Sequence, residues 1–152
     1  DDPRHLAHAL ILLLTLGGTP AVYAGDEQGM RGVKEERYGG DDAIRPTFPP
    51  APTELAPGGW EVYHLHQELI ALRRRNPWLH RARTEVLTCT NTELVYRAVG
   101  EGDSLVVVLN LGDGVVGADV SPAAAVLAGH NHARLDGGRV HVAGHGWAVV
   151  GG

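Results

Sequence analysis

Two adjacent carboxylates, Asp26 and Glu27, follow the short apolar run Pro20-Ala21-Val22-Tyr23-Ala24, with only Gly25 between. In an open or closed α/β sheet, side chains just past the carboxyl end of a strand sit where ligands bind. Two carboxyl groups facing one another can divide acid, base and nucleophile roles. Neighbours on an extended chain point apart, however, and no second acid-bearing strand lies beside this one in the sequence. Asp26 and Glu27 are therefore read as groups that hold loop backbone or touch a ligand, not as an acid/base pair. Arg45 lies in a long irregular stretch downstream, close to Asp41, Asp42 and Phe48. Its planar fork suits two parallel hydrogen bonds to a carboxylate. Other reactive side chains have plainer readings. His64 and His66, two apart on a helix, diverge and do not make a metal pair. His130 and His132 belong to a surface turn, and Arg73-Arg74-Arg75 to the solvated last turn of a helix. No Gly-rich phosphate loop follows a strand and there is no nucleophile elbow, so neither cofactor nor metal is expected.

The elements that carry these residues are legible by period. Asp2 and Pro3 suit a helix start. Leu6, Ala9, Leu10 and Leu13 then recur at helical spacing, with Ala7, Ile11, Leu12 and Leu14 filling the rest. Such a helix is expected to be buried on more than one side. Gly17-Gly18 stops it, and Ala21–Ala24 reads as a short buried strand with no neighbour strand earlier in the chain. From Gly29 to Gly59 five prolines forbid a regular helix in the second half, and only a short helix near Asp41–Ile44 is expected. Trp60–Arg75 is an amphipathic helix with Val62, Leu65, Leu69 and Leu72 on one stripe, ended by Asn76-Pro77. Beyond Leu79 the period changes to two. Strands are expected at 84–87, 93–98, 105–109, 115–120, 125–127, 139–142 and 147–150, with turns at Gly100–Asp103 and Asp136–Gly138.

The fold class expected is α/β followed by all-β. Residues 1–78 form a helix–strand–long loop–helix segment, and residues 79–152 an antiparallel β-sandwich. A net charge of −5 argues against nucleic-acid and anionic-membrane surfaces. The longest apolar run, Ala9 to Leu14, is short of the ~20 residues a spanning helix needs. Cys89 is single, so no internal disulfide pairs and the compartment stays open, with the cytoplasm favoured.

Three segments in order resemble the α-amylase family of glycoside hydrolases (family 13). GGTPAVYAGDEQGM, with the helix before it, is similar to the family's seventh barrel helix and eighth strand. DDAIRP resembles the Arg-Pro segment of the loop that follows, and RRRNPWL the exit of the last barrel helix into a C-terminal β domain. The resemblance implies the end of a (β/α)8 barrel plus that β domain, taken from an enzyme acting on α-glucans or α-glucosides by retaining hydrolysis or transfer. That chemistry takes two carboxyl groups about 5–5.5 Å apart. In the family they follow the fourth and fifth strands, with a supporting Asp after the seventh, all before the helix that opens this chain. The resemblance thus implies a missing N-terminal barrel segment, no catalytic residue here, and no activity from this chain alone. It gives Arg45 a place in the pocket for a non-reducing glucosyl unit, closed by an Asp from the missing part; here Arg45 is expected to pair with Asp41 or Asp42, or to be loose. Phe48 is the better stacking candidate, Tyr23 and Trp60 being placed more like core residues, and Asp26 and Glu27 are further candidate contacts. The alternative is a stand-alone carbohydrate-binding or interaction β-module, for which the β half offers only Tyr96 and Trp147, both placed like core.

Overall fold

A computed structural model describes residues 3–45, 47–51, 54–55, 58–130 and 133–152. The chain forms two compact units: residues up to Pro20 together with Leu69–Gly152, and Ala21–Glu68.

The first unit is built on a two-sheet β domain. Its strands are β1 (Arg83–Cys89), β2 (Glu93–Val99), β3 (Ser104–Asn110), β4 (Val116–Asp119), β5 (Ala125–Gly129), β6 (Arg134–Asp136), β7 (Arg139–Val142) and β8 (Trp147–Gly151). A five-stranded antiparallel sheet runs β1-β2-β3-β8-β5 and a three-stranded one β4-β7-β6. Seven strands lie at the expected places. The three-residue β6 was not expected, because so short a strand shows no alternation. The turns also lie as expected, Gly102, Gly137 and Gly138 taking positive φ values of 98°, 56° and 83°.

Alternation explains the core. Val95, Val108 and Ala148 lie opposite one another across β2, β3 and β8, as do Val106 and Val150 on the same face. They join Ala118, Val140 and Val142 of the small sheet in one buried cluster. The intervening residues, Tyr96, Val107 and Val149, are buried on the opposite face. Two covered faces account for the unbroken apolar run Leu105–Leu109.

Helix α1 (Leu6–Thr15), preceded by a 3-10 turn at Pro3–His5, meets that second face. His5 stands at its start without a side-chain cap, and Asp2, the expected cap, lies outside the described residues. His8, Leu10, Ile11, Leu14 and Thr15 are buried, whereas Leu6 and Ala9 are exposed. The expectation of burial on more than one side is corrected: among the described residues only one face of the helix is covered. Thr15 fixes the docking, its hydroxyl donating to Ile11 O at 2.6 Å and accepting from the Tyr96 hydroxyl. His8 Nε2 donates to the carbonyls of Asn110 (3.1 Å) and Gly146 (3.0 Å).

Helix α2 (Gly59–Arg75) begins in the second unit and ends in the first. Its last turn departs from the expected solvated arginines. Arg74 and Arg75 are exposed, but Arg73 donates to the carbonyls of Leu14 (2.9 Å), Leu16 (2.9 Å) and Gly18. The Leu14 and Leu16 carbonyls are among the acceptors that the C-terminal end of α1 leaves without helical partners, and Gly18 lies just beyond them. The strand expected at Ala21–Ala24 is not formed: the segment makes no ladder, runs into a turn at Ala24, and its residues are exposed. A strand exists only with a partner, and none of the described residues supplies one. The described residues between Gly29 and Gly58 are irregular apart from 3-10 turns such as Asp42–Ile44. No helix among the described residues is long and apolar enough to cross a membrane.

Candidate functional site

The candidate residues belong to the second unit. Asp26 and Glu27 open a 3-10 turn, Asp26–Gln28, held between two left-handed glycines, Gly25 (φ 100°) and Gly29 (φ 65°). The turn is stitched by Gln28 N–H to Gly25 O (3.1 Å), Gly29 N–H to Asp26 O (3.0 Å) and Met30 N–H to Gly25 O (3.0 Å). Glu27 is tied into this knot. Its Oε2 accepts from Gly25 N–H at 2.9 Å and its Oε1 from Gln28 Nε2 at 2.8 Å. Burial alone would raise its pKa, but the donors at Gln28, its own backbone and Gly25, with nearby His66, outweigh that and hold it below the ordinary glutamate value. Glu27 is thus a fixed anion bracing the loop, ill suited to carry a proton for acid catalysis. Asp26 is exposed beside it.

Arg45 follows the 3-10 turn Asp42–Ile44, its backbone N–H donating to Asp42 O at 3.2 Å. Its Nη2 lies 3.7 Å from Asp41 Oδ2, and 64% of the side chain is exposed. Asp41 is also claimed by Lys34 Nζ at 3.2 Å. The guanidinium therefore has an ionic neighbour but, among the described residues, no two-pronged partner. The preceding loop is closed by Glu35 N–H to Gly40 O (3.1 Å) and Gly40 N–H to Arg37 O (2.9 Å), and by the Arg37–Glu35 ion pair. Gly40 is obligatory there, because an added Cβ would lie 1.9 Å from Glu35 O. Loop and arginine line a cavity of about 360 Å³ walled by Lys34, Glu36, Asp41, Asp42 and Arg45. The structure thus brings Asp41 and Asp42 to Arg45. Phe48 is exposed three residues on, and neither Asp26 nor Glu27 lines that cavity.

Several aromatic side chains stand differently from the sequence reading. Trp60 is 42% exposed and Tyr23 is exposed too, correcting their core-like placement; Tyr38, which no periodicity marks, is fully exposed. Tyr96 and Trp147 are 1% and 3% exposed, as expected of core residues, so neither can stack on a ligand. His64 is exposed and His66 buried, with His66 Nδ1 donating to Val62 O at 2.9 Å; the two diverge. His130 lies just after β5, and His132 is outside the described residues. No group of three His, Cys, Asp or Glu among the described residues is arranged to hold a metal.

A helix pair leading into an antiparallel two-sheet domain is an arrangement shared with carbohydrate-active enzymes of known structure. A debranching enzyme from Nostoc punctiforme superposes with a TM-score of 0.75 at 23% identity, over 99% of this chain and 32% of that one. An α-amylase from H. orenii gives 0.75 at 20% identity, over 99% and 36%. A trehalulose synthase from Pseudomonas mesoacidophila MX-45 gives 0.74 at 15%, over 99% and 39%. By sequence, the chain is 32% identical to a 4-alpha-glucanotransferase of Thermotoga neapolitana, over 70% of this chain and 29% of the relative. No family model matches. The chain belongs to the α-amylase family, glycoside hydrolase family 13, and corresponds to its C-terminal-type region. It spans about a third of the length of these relatives.

Proposed function

We propose that this chain is the C-terminal part of an α-glucan-active retaining glycoside hydrolase or transglucosylase. Residues 1–78 are read as the end of the catalytic barrel and residues 79–152 as the C-terminal β domain. The two reacting carboxyl groups and their supporting Asp come from a segment preceding this one in the intact enzyme. This chain contributes one wall of the substrate pocket and is inactive alone. Four names support the substrate class: the glucanotransferase, the amylase, the debranching enzyme studied with acarbose, and a relative described with the substrate sucrose.

The observation that carries the reading is the state of Arg45. It is exposed, stands at the rim of a charged cavity, and meets Asp41, its only ionic neighbour among the described residues, at 3.7 Å. An arginine with its fork uncommitted is ready for a bidentate carboxylate supplied from outside the loop. In the intact enzyme that pair would close the pocket around the non-reducing glucosyl unit, with Phe48 stacking and Asp26 or Glu27 holding the neighbouring backbone.

Two measurements test the proposal. The purified 152-residue chain should not turn over starch, maltose or sucrose, and clear turnover would overturn the inactivity. In the intact enzyme, R45A should reduce kcat/KM far more than R74A on the exposed end of α2. Equal effects would remove Arg45 from the pocket.

A further inference from the structure

The first two turns of α2 carry a set of rings that the pocket reading does not use. Trp60, Tyr63 and His64 stand at i, i+3 and i+4, so they share one helix face. The Trp60 and His64 rings are stacked, with centroids 5.7 Å apart and planes 26° from parallel. Tyr63 meets Trp60 edge-on at 5.7 Å and 87°, and His64 at 6.0 Å and 68°. Such edge-to-face and offset contacts are the favoured aromatic geometries, so the three rings hold one another in place. Trp60 and His64 remain exposed.

The helix beneath is firmly seated. A Cβ on Gly59 would approach Gln28 O at 3.0 Å and Leu55 at 3.1 Å, and one on Gly29 would approach Val62 at 3.1 Å. Polar groups border the rings. His64 Nδ1 donates to Gln67 Oε1 at 3.2 Å, which fixes the tautomer and leaves His64 Nε2 as an acceptor and the Gln67 amide nitrogen as a donor. Glu61 is exposed next to Trp60.

We infer that Trp60, Tyr63 and His64 form a carbohydrate-binding platform on α2 that holds an α-glucan chain apart from the Arg45 pocket. The chemistry is that of a pyranose. Its C–H face is apolar and matches an indole ring, whereas its equatorial hydroxyls need donors and acceptors around that ring, here Glu61, His64 and Gln67. An exposed cluster of mutually held rings bordered by hydrogen-bonding groups suits this ligand better than a purely apolar partner. The choice of an α-glucan rests on the proposed function above.

The test is calorimetric titration of the 152-residue chain with maltoheptaose, with cellohexaose as the β-linked control. Wild type should bind maltoheptaose in preference to cellohexaose. W60A should weaken binding about tenfold or more, and W60Y, which keeps a ring face, should stay within about threefold of wild type. H64A, which removes the stacked partner without touching the indole, should weaken it about threefold. Near-ultraviolet circular dichroism identifies any variant that fails to fold; a misfolded W60A is set aside and W60Y and H64A decide. No binding by wild type, equal binding of both sugars, or folded W60A and H64A both binding like wild type would overturn the platform. Those results would leave the Arg45 reading standing, because turnover by the longer enzyme tests it separately.

Discussion

Arg45 Nη2 stands 3.7 Å from Asp41 Oδ2, close enough for attraction between charges and too far for a hydrogen bond. Asp41 is shared with Lys34; the two cations are largely open to solvent and the Asp41 side chain is 42% exposed. Exposed pairs of this kind contribute about 0–1 kcal/mol. The pairing therefore does little to hold the loop, and it leaves the guanidinium free to change partners.

Loop stability should not depend on Arg45, whereas activity of the intact enzyme should. R45A is expected to shift the unfolding midpoint of the isolated chain by less than about 0.5 kcal/mol. In the intact enzyme it should lower kcat/KM about 100-fold, the scale of a misplaced substrate. R45K, which keeps the charge but loses the fork, should recover only a small part. Steady-state kinetics beside urea unfolding would expose the reverse pattern, a large stability loss with unchanged kinetics.

Thr15 and Tyr96 offer a cleaner stability test. Thr15 donates to Ile11 O, so Tyr96 must donate to Thr15 Oγ1, and both side chains are buried. T15V keeps the shape but strands the phenol, and should cost about 1–3 kcal/mol. Y96F alone should cost about 1 kcal/mol. The double variant should be less destabilised than the sum, because no buried hydroxyl is then left at either position. Additive urea-denaturation energies would show that the two hydroxyls do not interact.

Burial also pushes the Tyr96 phenol up to about 12, despite the opposing bond from Thr15. Its folded value lies above the ordinary value of about 10. Its contribution to stability is therefore complete below pH 10 and is lost as pH rises through about 12. Absorbance titration at the phenolate band should show one tyrosine lagging the others, and Y96F should remove that late step. A titration in which Y96F changes only an early step would contradict the assignment.

His8 gives the opposite window. Burial is the main cause holding its pKa below the ordinary value, aided by His5 and opposed by its bonds to Gly146 and Asn110. The unfolded chain then takes up a proton more readily than the folded one. Stability is complete above about pH 6.5 and falls as pH drops below it, by at most about 1.4 kcal/mol per pH unit for one proton. H8Q, which retains a donor, should flatten the change in urea midpoint between pH 7.5 and 5.5. An unchanged profile would show that other groups set it.

Arg73 should matter to stability where Arg74 does not. R73A leaves the carbonyls of Leu14, Leu16 and Gly18 without their charged donor, and should cost about 1.5–3 kcal/mol. R74A, on the exposed side, should stay within about 0.5 kcal/mol. Thermal unfolding of the two variants distinguishes a tie across the unit from a merely solvated cationic turn.

The sequence by itself determined what local period and turn chemistry can express. The stripe from Val62 to Leu72 makes α2 whatever it packs against, and alternation with Gly-rich turns makes the β domain. Asp41 lies four residues before Arg45, and a single helical turn brings them together. Ordered motifs such as GGTPAVYAGDEQGM carried the family. Tertiary structure alone decided which faces are covered. Arg73 reads like Arg74 until the end of α1 arrives beside it. Trp60 reads like a core residue until its helix is seated with that face outward. Ala21–Ala24 has the composition of a strand, but a ladder needs a second chain segment at hydrogen-bonding distance. Burial and pairing are properties of two segments at once, and a one-dimensional pattern states only one of them.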